Sequence, residues 1–129
     1  MPVDKTIQTE REPVWAEIEK HPLLNQIADY VKANQGGKVT LKTVAEHFGV
    51  SISTVTQLFQ KKTKITFHDF LTACRMEQAR ALILQGTPLE IVGKEVGYRD
   101  HSTFYRAFRR EFGVSPREYR KSILQKEKD

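Results

Sequence analysis

The sequence is poor in cysteine and has no long apolar segment. Cys74 is its only cysteine, which excludes an intramolecular disulfide and any zinc site built from several cysteines. No run approaches the ~18 apolar residues of a membrane span, and residues 1–12 lack the apolar core of a secretory signal. These absences predict a protein of a reducing, cytoplasmic compartment.

Histidine offers no metal signal either. His21, His47, His68 and His101 fall on different predicted elements, and no pair has the spacing of a metal site. Surface or capping roles are expected for the first three, whereas His101 lies on the exposed polar face described below. Cys74 has no base near it in the sequence, which predicts a small core residue rather than a nucleophile. No cofactor, metal or catalytic residue is therefore predicted.

Basic residues exceed acidic ones by 21 to 16, a net charge of +5, and the excess is unevenly placed. Residues 1–20 hold three basic and five acidic groups, residues 61–85 hold five and two, and residues 100–129 hold eight and five. Base therefore gathers after each of two aromatic helical patterns, where phosphates would lie if those helices entered DNA grooves. The distribution indicates an anionic partner.

Residues 87–120 contain two short helical patterns separated by a glycine turn. Thr87 is predicted to cap the first helix with Pro88 at its first position, and Gly97 permits a left-handed turn. Both helices have an apolar stripe at helical spacing: Leu89, Val92, Val96, Phe104, Ala107 and Phe108. On the second helix the residues left facing outward are polar or aromatic: His101, Ser102, Tyr105, Arg106, Arg109 and Arg110. Such a polar face is typical of a helix-turn-helix that enters a DNA major groove.

A similar pattern occurs in residues 40–65, so the chain contains an internal repeat. Gly49 turns the chain there, and Ser51 can cap a helix with Val55 and Phe59 on its apolar face. The two units match at an offset of 48 residues before the turn and 49 after it. The one-residue change falls in the turn, where an insertion is tolerated best. Residues 40–65 therefore predict another helix-turn-helix.

Together these patterns predict an all-α protein of about seven helices, with two helix-turn-helix subdomains joined by a long linker helix. The predicted segments are an N-terminal arm that can form a short helix (1–21), the first unit (22–65), the linker helix (66–86), the second unit (87–121) and a charged, fraying tail (122–129). Thr66, with Asp69 three residues later, is predicted to cap the linker helix, and Ser115, with Glu118 three residues later, to cap the last helix. A linker helix from Thr66 to Leu84 would be about 28 Å long. That length suits two recognition helices near the ~34 Å separation of successive major grooves. Trp15 in the arm either covers the edge of the core or anchors a partner.

The second half of the chain has the residue order and spacing of a known family, carried by Arg75, Met76, Ala79, Ile91, Val92, Val96, Gly97, Tyr98, Phe104, Phe108, Gly113, Val114, Ser115, Pro116, Tyr119 and Arg120. About residues 22–121 resemble the DNA-binding domain of the AraC/XylS transcription regulators, which has two helix-turn-helix units joined by a long helix. Two residues depart from the family pattern. Gly93 replaces the usual alanine inside a helix, which should cost about 1 kcal/mol. Lys64 replaces a glycine, which predicts a looser or altered turn.

The resemblance assigns base reading to seven positions: Ser53, Thr56, Gln57, His101, Ser102, Tyr105 and Arg106. The Gln57 amide suits adenine and the Arg106 guanidinium suits guanine, the alternative for each being a solvated surface group. Contacts to phosphate are expected instead from Thr40, Lys61, Lys62, Arg109 and Arg110.

The leading hypothesis is sequence-specific binding of about 20 base pairs of double-stranded DNA at a promoter or operator, which regulates transcription. One alternative is an interaction module that modulates another regulator or RNA polymerase without reading DNA. Another is alkyl transfer in DNA repair, which a lone Cys74 in a helix core disfavours. The chain is expected to be either a stand-alone regulator, monomeric on DNA in the bacterial nucleoid, or a fragment of a larger regulator.

Overall fold

The protein is described by a computed structural model over residues 16–34 and 37–128, with side chains up to residue 125. The expectations for residues 1–15 of the arm, including Trp15, concern residues outside these ranges. The described part of the arm is helical at residues 16–19. Ile18 in this stretch is buried in the first of the two hydrophobic cores that are described below.

Within the described residues every regular element is helical, which confirms the predicted all-α fold. After residues 16–19 the chain forms α1 (Pro22–Asn34), α2 (Leu41–Phe48), α3 (Ile52–Thr63), α4 (Phe67–Leu84), α5 (Leu89–Glu95), α6 (His101–Phe112) and α7 (Pro116–Lys128). Helices α2 and α3 form one helix-turn-helix pair, and α5 and α6 form the other. The linker helix α4 has 18 residues and is about 27 Å long.

Three predicted helix caps are present. The Ser51 hydroxyl accepts a hydrogen bond from the backbone N–H of Thr54 at 3.0 Å, at the start of α3. The Thr66 hydroxyl accepts from the N–H of Asp69 at 3.0 Å, at the start of α4. At α7 the cap is reciprocal, because the Glu118 N–H donates to the Ser115 hydroxyl and the Ser115 N–H donates to the Glu118 carboxylate, both at 3.1 Å.

The predicted cap at Thr87 is wrong. Helix α5 begins at Leu89, Pro88 occupies the cap position, and no side chain caps this helix. Thr87 belongs to the end of the linker helix instead, since its N–H donates to the Leu82 carbonyl at 3.0 Å. Its own carbonyl accepts a hydrogen bond from the Arg120 guanidinium, which comes from α7.

Apolar side chains form two separate cores, and α4 contributes to both. Phe70 and Cys74 from its first half pack with α1, α2 and α3. Met76 and Ile83 from its second half pack with α5, α6 and α7. Because one uninterrupted helix lies in both cores, the separation of the two helix-turn-helix pairs is set by that helix.

The turn after α3 is altered, as expected, but it is closed by hydrogen bonds. Lys64 has φ 65° and ψ 9°, close to the φ 78° and ψ −6° of Gly113 after α6. The Lys64 N–H donates to the Phe59 carbonyl, five residues back, whereas the Gly113 N–H donates to the Arg109 carbonyl, four residues back. The buried Thr63 hydroxyl also donates to the Phe59 carbonyl, at 2.6 Å. A non-glycine residue thus adopts the left-handed conformation at this position.

The charged segment after Lys121 is helical in the structure, and its fraying stays a prediction. Helix α7 continues to Lys128. Its first turns are held on the second core by the buried Tyr119 and by Ile123, one turn later on the same face. Packing at this spacing extends the helix into a segment whose composition alone is charged.

Candidate nucleic-acid interface

The two recognition helices, α3 and α6, are presented in the same way. Each follows a glycine with positive φ, Gly49 at 66° and Gly97 at 104°. Each is anchored by fully buried side chains on its inner face, which are Val55 and Phe59 in α3, and Phe104, Phe108 and Phe112 in α6. Burial of these stripes leaves the opposite face of each helix toward solvent.

All three residues assigned to base reading in α3 are exposed: Ser53, Thr56 and Gln57. Gln57 lines a shallow cleft of about 170 Å³ together with Thr54, Leu58, Lys61 and Lys62. Both lysines are exposed in the last turn of α3. The structure therefore brings the amide of Gln57 and the two ammonium groups onto one surface.

In α6 the residues His101, Ser102, Arg106, Arg109 and Arg110 are exposed, and Tyr105 is half-buried. The rings of His101 and Tyr105 have their centroids 6.1 Å apart. Thr40, which is also assigned to phosphate, is exposed at the cap of α2, where its hydroxyl accepts a hydrogen bond from the Thr43 N–H at 3.1 Å. These positions agree with the expected surface, and their roles remain predictions.

A cleft of about 660 Å³ adjoins α6, and it contains charged residues that the sequence analysis did not single out. His101 and Tyr105 line it together with Pro88, Leu89, Glu90, Ser115, Pro116, Arg117 and Arg120. Arg117 is exposed at the start of α7 and lines this cleft together with His101 and Tyr105 of α6. The only sequence signal for Arg117 is its place directly after the Ser115–Pro116 cap, and that signal says nothing about the neighbouring helix.

The caps of the two recognition helices differ in charge. Ser51 caps α3 with a neutral hydroxyl. Asp100 caps α6 with a carboxylate that accepts hydrogen bonds from the Thr103 N–H at 2.8 Å and the Thr103 hydroxyl at 3.1 Å. These hydrogen bonds lower the pKa of Asp100 below its ordinary value of 3.8. The second recognition helix therefore begins with a negative charge that the first one lacks.

Tyr98, in the turn before α6, connects this unit to the linker helix. The guanidinium carbon of Arg75 lies 5.5 Å from the centre of the Tyr98 ring. Burial raises the pKa of Tyr98, while the charges of Arg75 and Arg110 and hydrogen bonds from Arg75 and Thr72 oppose that rise. Because Thr72 and Arg75 both belong to α4, this contact orients the second unit on the linker helix.

Two histidines outside α6, His21 and His47, have structural contacts. The His21 ring nitrogen Nδ1 accepts a hydrogen bond from the Leu24 N–H at 3.3 Å, so it caps α1. His47 stacks on Tyr30 with the ring centroids 4.3 Å apart. Cys74 is buried in the first core. Over the described ranges no cluster of three or more His, Cys, Asp or Glu side chains could hold a metal ion. None of the helices in these ranges is long and apolar enough to span a membrane.

Comparison with known proteins relates most of the chain to DNA-binding regulators. A family profile described as a helix-turn-helix domain matches residues 44–122. The chain is 29% identical over 126 residues to the melibiose operon regulatory protein of Escherichia coli (strain K12), an alignment that covers 96% of this chain and 41% of that protein. The chain thus spans less than half the length of this curated relative.

Solved structures show the same arrangement of helices. The C-terminal domain of AraT, a response regulator from Geobacillus stearothermophilus, matches with a TM-score of 0.75 and 31% identity, over 79% of this chain and 86% of that one. An AraC-type DNA-binding domain-containing regulator from Chromobacterium violaceum shares the fold, with a TM-score of 0.72 and 24% identity, over 77% of this chain and 89% of that one. The chain belongs to the AraC-type family of helix-turn-helix DNA-binding transcription regulators.

Proposed function

We propose that this chain binds double-stranded DNA with α3 and α6 in successive major grooves on one face of the duplex, and regulates transcription from that site. The observation that carries this proposal is the linker helix, whose two halves lie in separate cores that each anchor one recognition helix. Its length of about 27 Å, together with the distance from the linker helix to each recognition helix, is compatible with recognition helices that lie one duplex turn, ~34 Å, apart.

Base reading is assigned to the exposed faces of both helices. In α3 the Gln57 amide can form two hydrogen bonds with adenine, and Ser53 and Thr56 supply hydroxyls. In α6 the Arg106 guanidinium can form two hydrogen bonds with guanine, beside His101 and Tyr105. The half-burial of Tyr105 restricts its ring, which favours a fixed contact over a mobile one.

Contacts to the DNA backbone are assigned to the basic residues that flank the two reading faces. Lys61 and Lys62 lie a turn beyond Gln57, and Arg109 and Arg110 lie a turn beyond Arg106. We add Arg117, because it borders the same cleft as His101 and Tyr105. Phosphate contacts of this kind position a protein on the duplex without carrying sequence information.

The proposal includes no catalytic step. The chain acts as a monomer on DNA through its own two units, in the cytoplasmic nucleoid, with RNA polymerase as its neighbour at the promoter. The monomer assignment rests on the presence of two reading helices in one chain, which makes a second copy unnecessary for contact with two half-sites.

The test begins with selection of bound sequences from a random duplex pool, followed by footprinting on the selected site. We expect about 20 protected base pairs in two half-sites about 10 base pairs apart. A Ser53→Ala/Gln57→Ala variant should lose preference in one half-site and a His101→Ala/Arg106→Ala variant in the other. Gln26→Ala, which removes an exposed amide from α1, is the matched control and should behave like the unmodified chain.

Two results would contradict the proposal. A single short protected window would mean that only one unit docks. Failure to enrich any duplex from the pool would redirect attention to an interaction module that binds a protein partner.

A further inference from the structure

Ile52 is a large apolar side chain exposed on a recognition helix. It is the first residue of α3, directly after the Ser51 cap, and 47% of its surface is exposed. The other large apolar residues exposed in the described part of the chain are Leu84, Ile91 and Leu124, which belong to α4, α5 and α7. Single exposed apolar residues are ordinary on protein surfaces, so the position of Ile52 is what calls for an explanation.

The internal repeat gives that position a meaning. The offset of 49 residues that relates α3 to α6 pairs Ile52 with His101. The same offset pairs the other base-reading positions of α3 with those of α6, which are Ser53 with Ser102, Thr56 with Tyr105, and Gln57 with Arg106. Ile52 is therefore the fourth member of the reading set in α3, at the N-terminal end that contacts base edges in helix-turn-helix proteins.

The chemistry of the side chain limits what it can read. Isoleucine has no hydrogen-bonding group, and the major groove presents one apolar substituent, the C5-methyl group of thymine. Contact with that methyl would remove apolar surface of both partners from water. The same side chain placed against the donors and acceptors of the other base pairs would desolvate them without a partner.

We propose that Ile52 reads a thymine in the first half-site through contact with its C5-methyl group. The inference rests on the proposed function, because it requires α3 to lie in a major groove. It assigns the first unit a specificity for a T·A pair that its hydroxyl and amide groups do not supply.

The test uses the full chain and the duplex selected from the random pool. Each thymine of the first half-site is replaced singly by deoxyuridine, which removes only the methyl group, and Kd is measured by fluorescence anisotropy. We expect one replacement to weaken binding about fourfold, the equivalent of one buried methyl group. Ile52→Ala should weaken binding to the unmodified duplex by a similar factor and should no longer respond to that replacement.

Leu84→Ala is the matched control, because Leu84 is exposed to a similar extent, 53%, on the linker helix. It should keep the full response to deoxyuridine. Equal binding of every deoxyuridine duplex by the unmodified chain would overturn the inference, and so would an unchanged response in Ile52→Ala. Both results leave the proposed function standing if the selected duplex is still bound specifically, whereas loss of all specific binding would overturn both.

Discussion

Gly93 in α5 lies directly against Phe104 in α6. A Cβ atom on Gly93 would be 3.0 Å from both Cβ and Cγ of Phe104, closer than ordinary contact. Both residues are buried, and Phe104 is fully enclosed in the second core. The absence of a side chain at Gly93 thus allows the two helices of this pair to approach. In the first unit the equivalent residues are Ala45, which is larger than glycine, and Val55, which is smaller than phenylalanine.

Gly93→Ala should therefore destabilise the protein, although alanine is the better helix former. The gain in helix propensity is about 1 kcal/mol, and overpacking of a full core costs typically 1 to 3 kcal/mol. Phe104 cannot move aside without shifting α6, so we expect a net loss of about 1 kcal/mol in the free energy of unfolding, measured by urea denaturation. Lys94→Ala, an exposed change on the same helix, is the control. A more stable Gly93→Ala variant would show that the Phe104 ring can yield.

Lys64→Gly should stabilise the protein. Lys64 is exposed and has a φ of 65°, a conformation in which a side chain costs roughly 1–2 kcal/mol. Part of the gain is offset by the greater freedom of glycine in the unfolded chain, so we expect about 0.5–1 kcal/mol by urea denaturation. Lys64→Ala removes the same charge but keeps the strain, and it should show no such gain. Equal stabilisation by both variants would attribute the effect to charge instead.

Stability should fall in acid through the two carboxylate caps. Hydrogen bonds from Thr103 lower the pKa of Asp100 below 3.8, and hydrogen bonds from Ser115 lower the pKa of Glu118 below 4.5. The unfolded chain therefore binds protons first, so the stabilisation is fully present above pH about 4.5 and is lost as the pH falls through the lowered values. Asp100→Asn keeps a capping side chain that cannot titrate, and it should flatten the pH dependence of the free energy of unfolding in this range. An unchanged acid profile would rule out this contribution.

Affinity for DNA should fall steeply with salt. Each phosphate contact releases counterions, so the slope of log affinity against log salt changes by about 0.9 per contact. Lys61→Ala and Arg109→Ala should each flatten the slope by about that amount and weaken all duplexes alike. Lys20→Ala is the control, because this lysine pairs with Glu17 at 3.2 Å before α1. An effect confined to one base position would contradict the assignment of Lys61 or Arg109 to phosphate.

The base sequence of the second half-site should be more constrained than that of the first, because Arg106 reads it. A bidentate contact discriminates by about 1 to 3 kcal/mol, whereas the hydroxyls of Ser53 and Thr56 serve several bases. Arg106→Ala should relax the preference at one guanine, and Gln57→Ala should have a smaller effect. Binding is compared across every single-base variant of the site. Uniform weakening by Arg106→Ala would place its guanidinium on a phosphate and move the specificity to the first unit.

The sequence predicted local features well where the signal lies within a few residues. The caps at Ser51, Thr66 and Ser115 each use a residue three positions away. The cap expected at Thr87 followed the same local rule but is wrong. The Thr87 N–H donates to a carbonyl of α4, and the Thr87 carbonyl accepts a hydrogen bond from Arg120, which is 33 positions away. A pattern of neighbouring residues carries no information about such a distant donor.

By itself the sequence determined the all-α class, the duplicated helix-turn-helix pairs and the polar faces of α3 and α6, because helical burial repeats over three or four residues and turns need particular residue types. Tertiary structure alone decided how close the helices come and which residues meet. It placed Gly93 against Phe104, Arg75 against Tyr98, and Arg117 beside His101 in one cleft. Those distances depend on the joint packing of many side chains from different helices in the two cores, and no short stretch of sequence encodes that packing.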